Sequence, residues 1–593
     1  ASLAPIPKNP FEPSSRTSIS TSSLLALSSF NASSIASCLF FAFFSILSIN
    51  IFGQYFPKNG DQKLYQKAEK YADSLYQQLS LDEKIGQLYI VALYNNRGEE
   101  EIQKIRNLVE KEKIGGLILM QDDAEKHINL LNEFQGKSRI KMMIGIDGEW
   151  GLFQRFSAAH KFPWAMTLGA IQDNSLIYEM TSKIAEDCKR MGIYWDFAPV
   201  VDVNTNPSNP IIGNRSFGSD INNVISKGLA YAQGLQDHGV LASMKHFPGH
   251  GDTNTDSHLD LPVVSHNLER LNSVELAPFK ALLDKKIGGV MVAHLYVPTL
   301  EKKKGIPASV SYEIITNLLK NTYQYKGLII TDALNMNAIA KKFSPGEIDL
   351  RAFKAGNDIM LFSQDVPSGK ALIKSAFEKG EISENRLAES VKKILKTKFL
   401  LGLQDLKPIN PENINVDLNN TSHAEISEKL YANAITLLKD EKNLLPLSCS
   451  KTYYYLPLEE APFQTFVENL NFGTTINLIS KEEISQIPEN STVIVGFHKD
   501  NSTAYKPYKI SQNSKDILTE LSKKQNVILD VFGSPYALKD FDIASISTVL
   551  VSYENNDLSM KASAKALLGK TKISGKLPVI VNENLKAGTG IEK

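Results

Sequence analysis

The sequence predicts an α/β fold, a TIM-type (β/α)8 barrel followed by an α/β sandwich domain. Three observations lead to this prediction. Eight apolar runs of strand length alternate with mostly helical patterns from residue 62 onward. Most of these runs deliver an ionisable side chain at or just after their end, and new strand-length runs appear after a Pro- and Asn-rich stretch. A doubly wound parallel sheet is the structural alternative for the first part of the chain.

The eight apolar runs have the composition of strands that are buried on both faces. Parallel strands covered by helices on their outer side read as continuous apolar segments rather than as alternating ones. Two of the intervals between them, 174–191 and 221–238, have clear helical periodicity. The runs occupy residues 87–93, 115–120, 142–147, 193–200, 241–246, 289–294, 327–332 and 357–362.

Ionisable residues gather at the ends of these runs. They are Asp147 in the third, Asp202 after the fourth, Lys245 and His246 in the fifth, His294 in the sixth and Asp332 in the seventh. A barrel carries its active site at the carboxyl ends of its strands, and charged side chains are rarely buried without partners. The pattern therefore predicts an active site at that rim.

The remaining chain divides by composition. We expect the barrel at 62–402, a linker at 403–424, the sandwich domain at 425–585 and a flexible tail at 586–593. A helix is expected at 424–438. Strands are expected at 452–456, 492–497, 527–532, 549–552 and 577–581.

The N-terminal part predicts export. Residues 1–35 are Ser-rich and are expected to be disordered, whereas 36–53 are apolar over the length of a signal peptide. We expect an exported protein with a cleaved signal. An uncleaved membrane anchor is the alternative, because about 18 apolar residues approach the length that spans a bilayer.

Bulk composition excludes other functions. Lys plus Arg and Asp plus Glu number 65 each, so no basic field predicts a nucleic-acid partner. The three cysteines lack a zinc-binding spacing.

Residues 244–262 form the densest cluster of titratable groups, with three of the ten His residues of the chain and three Asp. His246 and His250 have the i, i+4 spacing of a helical zinc site, but Pro248 and Gly249 between them oppose a helix. We therefore predict no metal and no cofactor. In Asp256-Ser257-His258, a carboxylate two residues from an imidazole is able to orient it for acid/base catalysis.

The same loop resembles a known signature. Lys245-His246-Phe247-Pro248-Gly249-His250-Gly251-Asp252, followed by Asp256-Ser257-His258, is similar to the β-N-acetylglucosaminidase branch of family 3 glycoside hydrolases. Asp147-Gly148-Glu149, Gly213-Asn214-Arg215-Ser216-Phe217-Gly218 and Ile330-Thr331-Asp332 also resemble motifs of that family. The resemblance covers about 62–400 strongly and 425–581 more loosely.

The resemblance implies a retaining glycosidase that removes terminal N-acetyl-β-D-glucosamine. Asp332 is expected to be the nucleophile, and His258, oriented by Asp256, the acid/base. The residues expected to hold the terminal sugar are Asp147, Arg215, Lys245 and His246.

Three further residues have less direct roles in this interpretation. His250 and Asp252 are expected to brace the loop, and His294 either lines the sugar pocket or satisfies a neighbouring loop.

The alternative functions are a family 3 β-glucosidase, a phosphorylase that uses the same His, and an inactive sugar-binding protein. The sequence does not identify the aglycone, which belongs to a cell-wall muropeptide, a chitooligosaccharide or another glycan.

Overall fold

The computed structural model describes residues 62–256, 260–500 and 508–593. The Ser-rich segment 1–35, the apolar segment 36–53 and His258 lie outside the described residues, so export and membrane anchoring stay predictions. None of the helices in the described ranges is both long enough and apolar enough to cross a membrane.

The first sheet is a parallel eight-stranded barrel, which confirms the predicted fold class. Its hydrogen-bonded order is β7-β6-β5-β4-β3-β2-β1-β8, and a parallel bridge between Ile330 and Ile359 joins the β7 edge to the residue before β8. Each strand lies within one of the eight apolar runs or extends it by one residue. The strands are β1 Tyr89–Leu93, β2 Gly116–Leu119, β3 Met143–Ile146, β4 Trp195–Asp196, β5 Leu241–Phe247, β6 Gly289–Val292, β7 Leu328–Thr331 and β8 Met360–Leu361.

Helices separate these strands along the chain. The two helices with the clearest sequence periodicity are Asn174–Arg190 and Ile221–Asp237, one residue shorter than predicted at their C-terminal ends. Asp173 and Asp220 cap them, because each side chain accepts a backbone N–H of the first turn. The other α- and π-helical segments described in the barrel region are Gln62–Gln78, Leu81–Gly86, Glu99–Asn107, Leu108–Glu112, Ala124–Lys137, Ala165–Gly169, Leu268–Arg270, Leu271–Glu275, Ala277–Leu283, Glu313–Thr322, Asn337–Ala340, Glu347–Ala355, Val366–Glu378 and Glu384–Leu400.

Side chains fill the barrel interior. The aromatic rings of Trp195 and Phe197 are fully buried, with centroids 5.1 Å apart. A β-carbon at Gly145, on β3, would lie 2.7 Å from the Phe197 ring, so a larger residue there would collide with it. The interior is therefore a packed core, and the open end of the barrel is left for chemistry.

The second sheet has six strands in the order β11-β10-β12-β13-β14-β9, with β9 antiparallel to its neighbour and the others parallel. Its strands are β9 Thr436–Asp440, β10 Thr452–Leu458, β11 Thr475–Leu478, β12 Thr492–His498, β13 Asn526–Phe532 and β14 Thr548–Val551. The helices before and around it are Ile414–Asp417, Thr421–Ala434, Gln464–Asn471, Gln512–Lys524 and Asp557–Leu567.

Two element predictions in this part were wrong. The helix expected at 424–438 ends at Ala434, and its apolar end forms the edge strand β9. No strand forms at 577–581, because its backbone bonds elsewhere. The Leu577 amide donates to Thr589 and the Pro578 carbonyl accepts from Ser219 of the barrel, at 2.8 and 3.0 Å. The predicted domain boundaries stay predictions.

Glu554, just after β14, fixes the second sheet to the barrel. One carboxylate oxygen accepts from the Trp164 backbone N–H at 2.9 Å and from the Thr167 hydroxyl at 2.7 Å. The side chain of Lys161 lies 3.5 Å from the other oxygen. Only 1% of Glu554 is exposed, so its charge is compensated within the junction.

Candidate active site

A cavity of about 480 Å³ opens at the carboxyl ends of the barrel strands. Seven of the ten predicted site residues line it, and apolar side chains from β2, β6 and β8 form part of its wall. The seven are Asp147, Arg215, Lys245, His246, His250, Asp256 and Asp332. All the lining residues in the described ranges belong to the barrel part of the chain.

Asp147 is held between two cations. It follows β3, and its carboxylate lies 3.0 Å from the Lys245 ammonium and 2.6 Å from the Arg155 guanidinium. Burial acts to raise the pKa of Asp147, but the two cations outweigh it and lower that pKa to about 2. Asp147 is therefore a carboxylate at neutral pH and can accept hydrogen bonds from hydroxyl groups in the cavity.

Glu149, in the same turn, is a buried carboxylate. Arg215 binds it with two parallel hydrogen bonds of 2.7 and 2.8 Å, and the Lys245 ammonium lies 2.8 Å away. Burial opposes ionisation, yet Arg215 and Lys245 hold the pKa of Glu149 far below its usual range. The bidentate pair fixes the guanidinium plane of Arg215 at the cavity wall.

We expect Glu149→Gln to destabilise the protein and to weaken sugar binding together. Removing one partner of a buried ion pair lowers the free energy of unfolding by about 3–5 kcal/mol, because the charge of the remaining partner, here Arg215, loses its compensation. Urea unfolding measures the first effect, and the Ki of N-acetylglucosamine measures the second. Glu110→Gln is the matched control. Its carboxylate lies 2.6 Å from Lys137 at a more exposed site, and its loss should change neither quantity.

His246 is fixed by the buried carboxylate of Asp202. Its Nδ1 lies 2.7 Å from an Asp202 oxygen, and its Nε2 lies 3.2 Å from an Arg215 nitrogen, which can only donate. Because a carboxylate only accepts hydrogen bonds, the Nδ1 atom carries a proton and donates to Asp202. Asp202 also accepts the backbone N–H of His250 at 2.7 Å, so it organises the base of the loop after β5.

His250 lines the cavity as a neutral imidazole. Burial and the neighbouring His246 lower its pKa to about 4. Its Nδ1 lies 2.7 Å from the Thr253 hydroxyl, and Asn209 donates to its carbonyl at 2.9 Å. These contacts agree with the bracing interpretation, although His250 also lines the pocket.

Asp332 follows β7 and faces the cavity. The backbone N–H of Ala333 donates to its carboxylate at 2.8 Å. Burial acts to raise the pKa of Asp332, but His294, His246 and this N–H hold it below its ordinary value. An ionised carboxylate on the cavity wall, with one oxygen bonded to the backbone, is suited to nucleophilic attack.

His294 does not line the cavity. Its Nδ1 lies 2.6 Å from the Ser309 hydroxyl, and its Nε2 lies 2.9 Å from the Ala333 carbonyl. The side chain is fully buried. Of the two roles left open by the sequence, the geometry favours the second, because this imidazole supports the segment that carries Asp332.

Asp256, in the loop after β5, lines the cavity. Its carbonyl accepts the backbone N–H of Asp260 at 3.1 Å. His258, its predicted partner, lies outside the described residues, so the acid/base pair stays a prediction.

Asp252 does not line the cavity and instead pairs with His266 at 2.5 Å. Within the described ranges, Asp252, His266 and Glu275 form a group with the donor spacing of a metal site. The guanidinium of Arg270 lies 3.0 Å from Glu275 and 4.0 Å from Asp252. A cation thus already compensates these carboxylates.

Sequence reasoning placed Glu149 and Arg155 in a turn that resembles a sugar-binding motif, but it assigned an individual role to neither. Both line the cavity beside Asp147. The signal for Glu149 was its position two residues after Asp147 in the same Gly-containing turn. Its partner Arg215 is 66 positions away, so the pairing itself had no local signal.

Several known proteins are similar to this chain. Residues 80–397 match the glycosyl hydrolase family 3 N-terminal domain. Beta-hexosaminidase A of Pseudoalteromonas piscicida is 30% identical over 81% of this chain and 91% of its own length. Beta-hexosaminidase LpqI of Mycobacterium tuberculosis is 33% identical over 53% of this chain and 82% of its own length.

A solved structure extends the similarity over both sheets. The family 3 beta-N-acetylglucosaminidase from Paenibacillus sp. str. FPU-7 has a TM-score of 0.71 and 29% sequence identity. The match covers 85% of this chain and 99% of that one.

Proposed function

Because the chain belongs to glycosyl hydrolase family 3, we propose that it is an exo-acting, retaining β-N-acetylglucosaminidase. The observation that carries the proposal is the meeting of Asp332 and Asp256 in one cavity whose wall also carries Lys245 and Arg215. The beta-hexosaminidase and beta-N-acetylglucosaminidase names of its relatives support the sugar specificity.

In the first step the Asp332 carboxylate attacks the anomeric carbon. The bond from that carbon to the aglycone oxygen breaks, and a glycosyl ester forms with Asp332. The lowered pKa of Asp332 supports this role, because the nucleophile must be ionised. The Ala333 N–H helps to hold that carboxylate in place.

His258 supplies the proton. As an imidazolium it protonates the leaving oxygen, and as an imidazole it then takes a proton from the water that cleaves the ester. Asp256 orients it and stabilises its charged form. A cationic acid also leaves the site less negative than a second carboxylate would, which suits a cavity that already holds Asp147, Glu149 and Asp332.

The charged network around Lys245 binds the terminal sugar. Carboxylates accept sugar hydroxyl protons, and the Lys and Arg side chains donate to hydroxyl and acetamido oxygens. The network is rigid before substrate arrives, because its cations and carboxylates already hold one another. Binding therefore needs little rearrangement.

Hydrolysis of 4-nitrophenyl N-acetyl-β-D-glucosaminide, followed by NMR, tests the proposal. We expect the β-anomer of N-acetylglucosamine to appear first, because two displacements preserve the configuration. The 4-nitrophenyl β-glucoside serves as the specificity control. Muropeptide and chitobiose then compare the two aglycone classes.

Other outcomes identify the competing functions. Formation of the sugar 1-phosphate when phosphate is present would identify a phosphorylase. Preference for the glucoside would identify a β-glucosidase. Binding of N-acetylglucosamine without turnover would contradict an enzymatic role.

A further inference from the structure

A group of ionic contacts beside the active site connects the loop after β5 with the segment 266–275. Asp252 lies on the loop after β5, and His266 follows 14 positions later. Arg270 and Glu275 belong to the helical segment that comes next. We call the contacts among these four residues the loop clamp. It lies outside the sugar cavity, because none of the four lines it.

The central contact of the loop clamp joins both ends of the acid/base segment. The Asp252 carboxylate and His266 Nε2 are 2.5 Å apart. Residues 253–265, between these two ends, include Asp256 and His258. The His266 carbonyl in turn accepts the Thr299 hydroxyl at 2.5 Å, so the second end is attached to the loop after β6.

Arg270 anchors this contact to the barrel rim. Its guanidinium binds the Glu275 carboxylate at 3.0 Å and the Thr205 hydroxyl, in the loop after β4, at 3.2 Å. It also lies 4.0 Å from Asp252. Glu275 is only 5% exposed and packs against Gly249, where a β-carbon would come within 2.8 Å of the Glu275 side chain. Arg270 therefore contacts both a buried carboxylate and a loop of the barrel rim.

The first part of the loop is also held by neutral contacts. Asn206 donates to the Thr253 carbonyl at 3.1 Å and to the Asn254 side chain at 2.6 Å. These contacts stop two residues short of Asp256. In the second part, Val264 donates to the Tyr296 carbonyl at 3.0 Å. The loop clamp adds an ionic connection between the two parts.

We propose that His266 and Arg270 are positioning residues that place the Asp256–His258 pair for proton transfer through their contacts with Asp252. This inference rests on the proposed function, since it requires the acid/base to lie on this loop. Neither residue touches the substrate. Their effect follows from the steep dependence of proton transfer on distance, for which a displacement of about 1 Å can cost about 100-fold in rate.

Leaving-group dependence tests the proposal. A 2,4-dinitrophenyl leaving group departs without protonation, whereas the sugar leaving group of chitobiose needs the acid. We expect His266→Ala to lower kcat/KM about 30-fold for chitobiose and less than about threefold for the dinitrophenyl glycoside. His266→Gln retains a donor near the position of Nε2 and should recover most of the loss. For chitobiose, the kcat/KM of Arg270→Lys should lie between the values of His266→Ala and His266→Gln, because Lys keeps the charge of Arg but not its planar set of donors.

A second readout concerns the ester intermediate. If the acid/base is misplaced, it activates water poorly, and azide, which needs no base, should raise the kcat of His266→Ala on the dinitrophenyl substrate. The product would be the β-glycosyl azide. Asp73→Asn is the matched control, because it removes a 2.7 Å ion pair with Lys392 between two barrel helices. It should show neither effect.

Two results would overturn the inference. One is an equal fall on both substrates, which would indicate a general loss of folded enzyme. The other is an unchanged kcat/KM for chitobiose in His266→Ala. If His258→Ala shows the expected leaving-group dependence, either result contradicts the positioning role of the loop clamp and leaves the acid/base assignment of His258 intact. If His258→Ala lacks it, the acid/base assignment itself fails, and the positioning role fails with it.

Discussion

Asp332→Gly should lower kcat/KM for 4-nitrophenyl N-acetyl-β-D-glucosaminide by about 10⁴-fold or more, because it removes the carboxylate that we propose forms the glycosyl ester. Steady-state kinetics measure the loss. Azide added to this variant should occupy the space of the missing carboxylate and attack directly. Its product would be the α-glycosyl azide, because one displacement inverts the anomeric carbon.

The azide product separates the nucleophile from the other carboxylates of the cavity. Asp147 and Glu149 are already held by cations, so their variants should weaken binding without giving an azide adduct. Asp332→Gly should also keep its unfolding midpoint close to that of the wild type. Substantial residual activity without azide would contradict the nucleophile assignment.

His258→Ala should lose about 10²–10⁴-fold in kcat/KM on substrates with sugar leaving groups, the range that general acid catalysis contributes. On the 2,4-dinitrophenyl glycoside the loss should be small. For the wild type, kcat/KM should fall as the pH rises through the imidazole range, ordinarily near 6.5, because the acid must be protonated. The kcat/KM of His258→Ala should not show this fall at high pH.

Asp260→Asn is the control for this experiment. It removes a carboxylate two residues away on the same loop, at an exposed position, and should keep the pH profile and the leaving-group dependence of the wild type. Equal losses on all substrates in His258→Ala would contradict its acid/base role. Rescue of the dinitrophenyl reaction by azide with the β-glycosyl azide as product would support it.

Much of the barrel could be predicted because the signals of its strands lie within a few neighbouring residues. Strands covered on both faces must be largely apolar, so Leu241–Phe247 and Leu328–Thr331 stand out as apolar runs in the amino-acid sequence. Barrel topology then places the residues that follow those strands on one rim. Lys245, His246 and Asp332 meet in one cavity for that reason.

The second sheet was harder to predict at its edges. The residues of β9 continue the apolar pattern of the helix before them, and their strand state depends on pairing with β14 more than 100 positions later. Similarly, 577–581 has strand-like composition but bonds to the tail and to the barrel. Whether these residues form a strand depends on partners that are distant in the sequence, and local propensity does not include those partners.

Periodicity and burial act over a few residues, so the barrel class and the side chains that follow its strands could be predicted without a structure. The sequence also carried the family resemblance in the loop after β5. Which charges compensate one another became visible only in the folded chain. The Lys245–Asp147 pair spans 98 positions, and His294 binds Ala333 across 39. Ionisation depends on burial and on distances between such groups, and these exist only once the chain has folded.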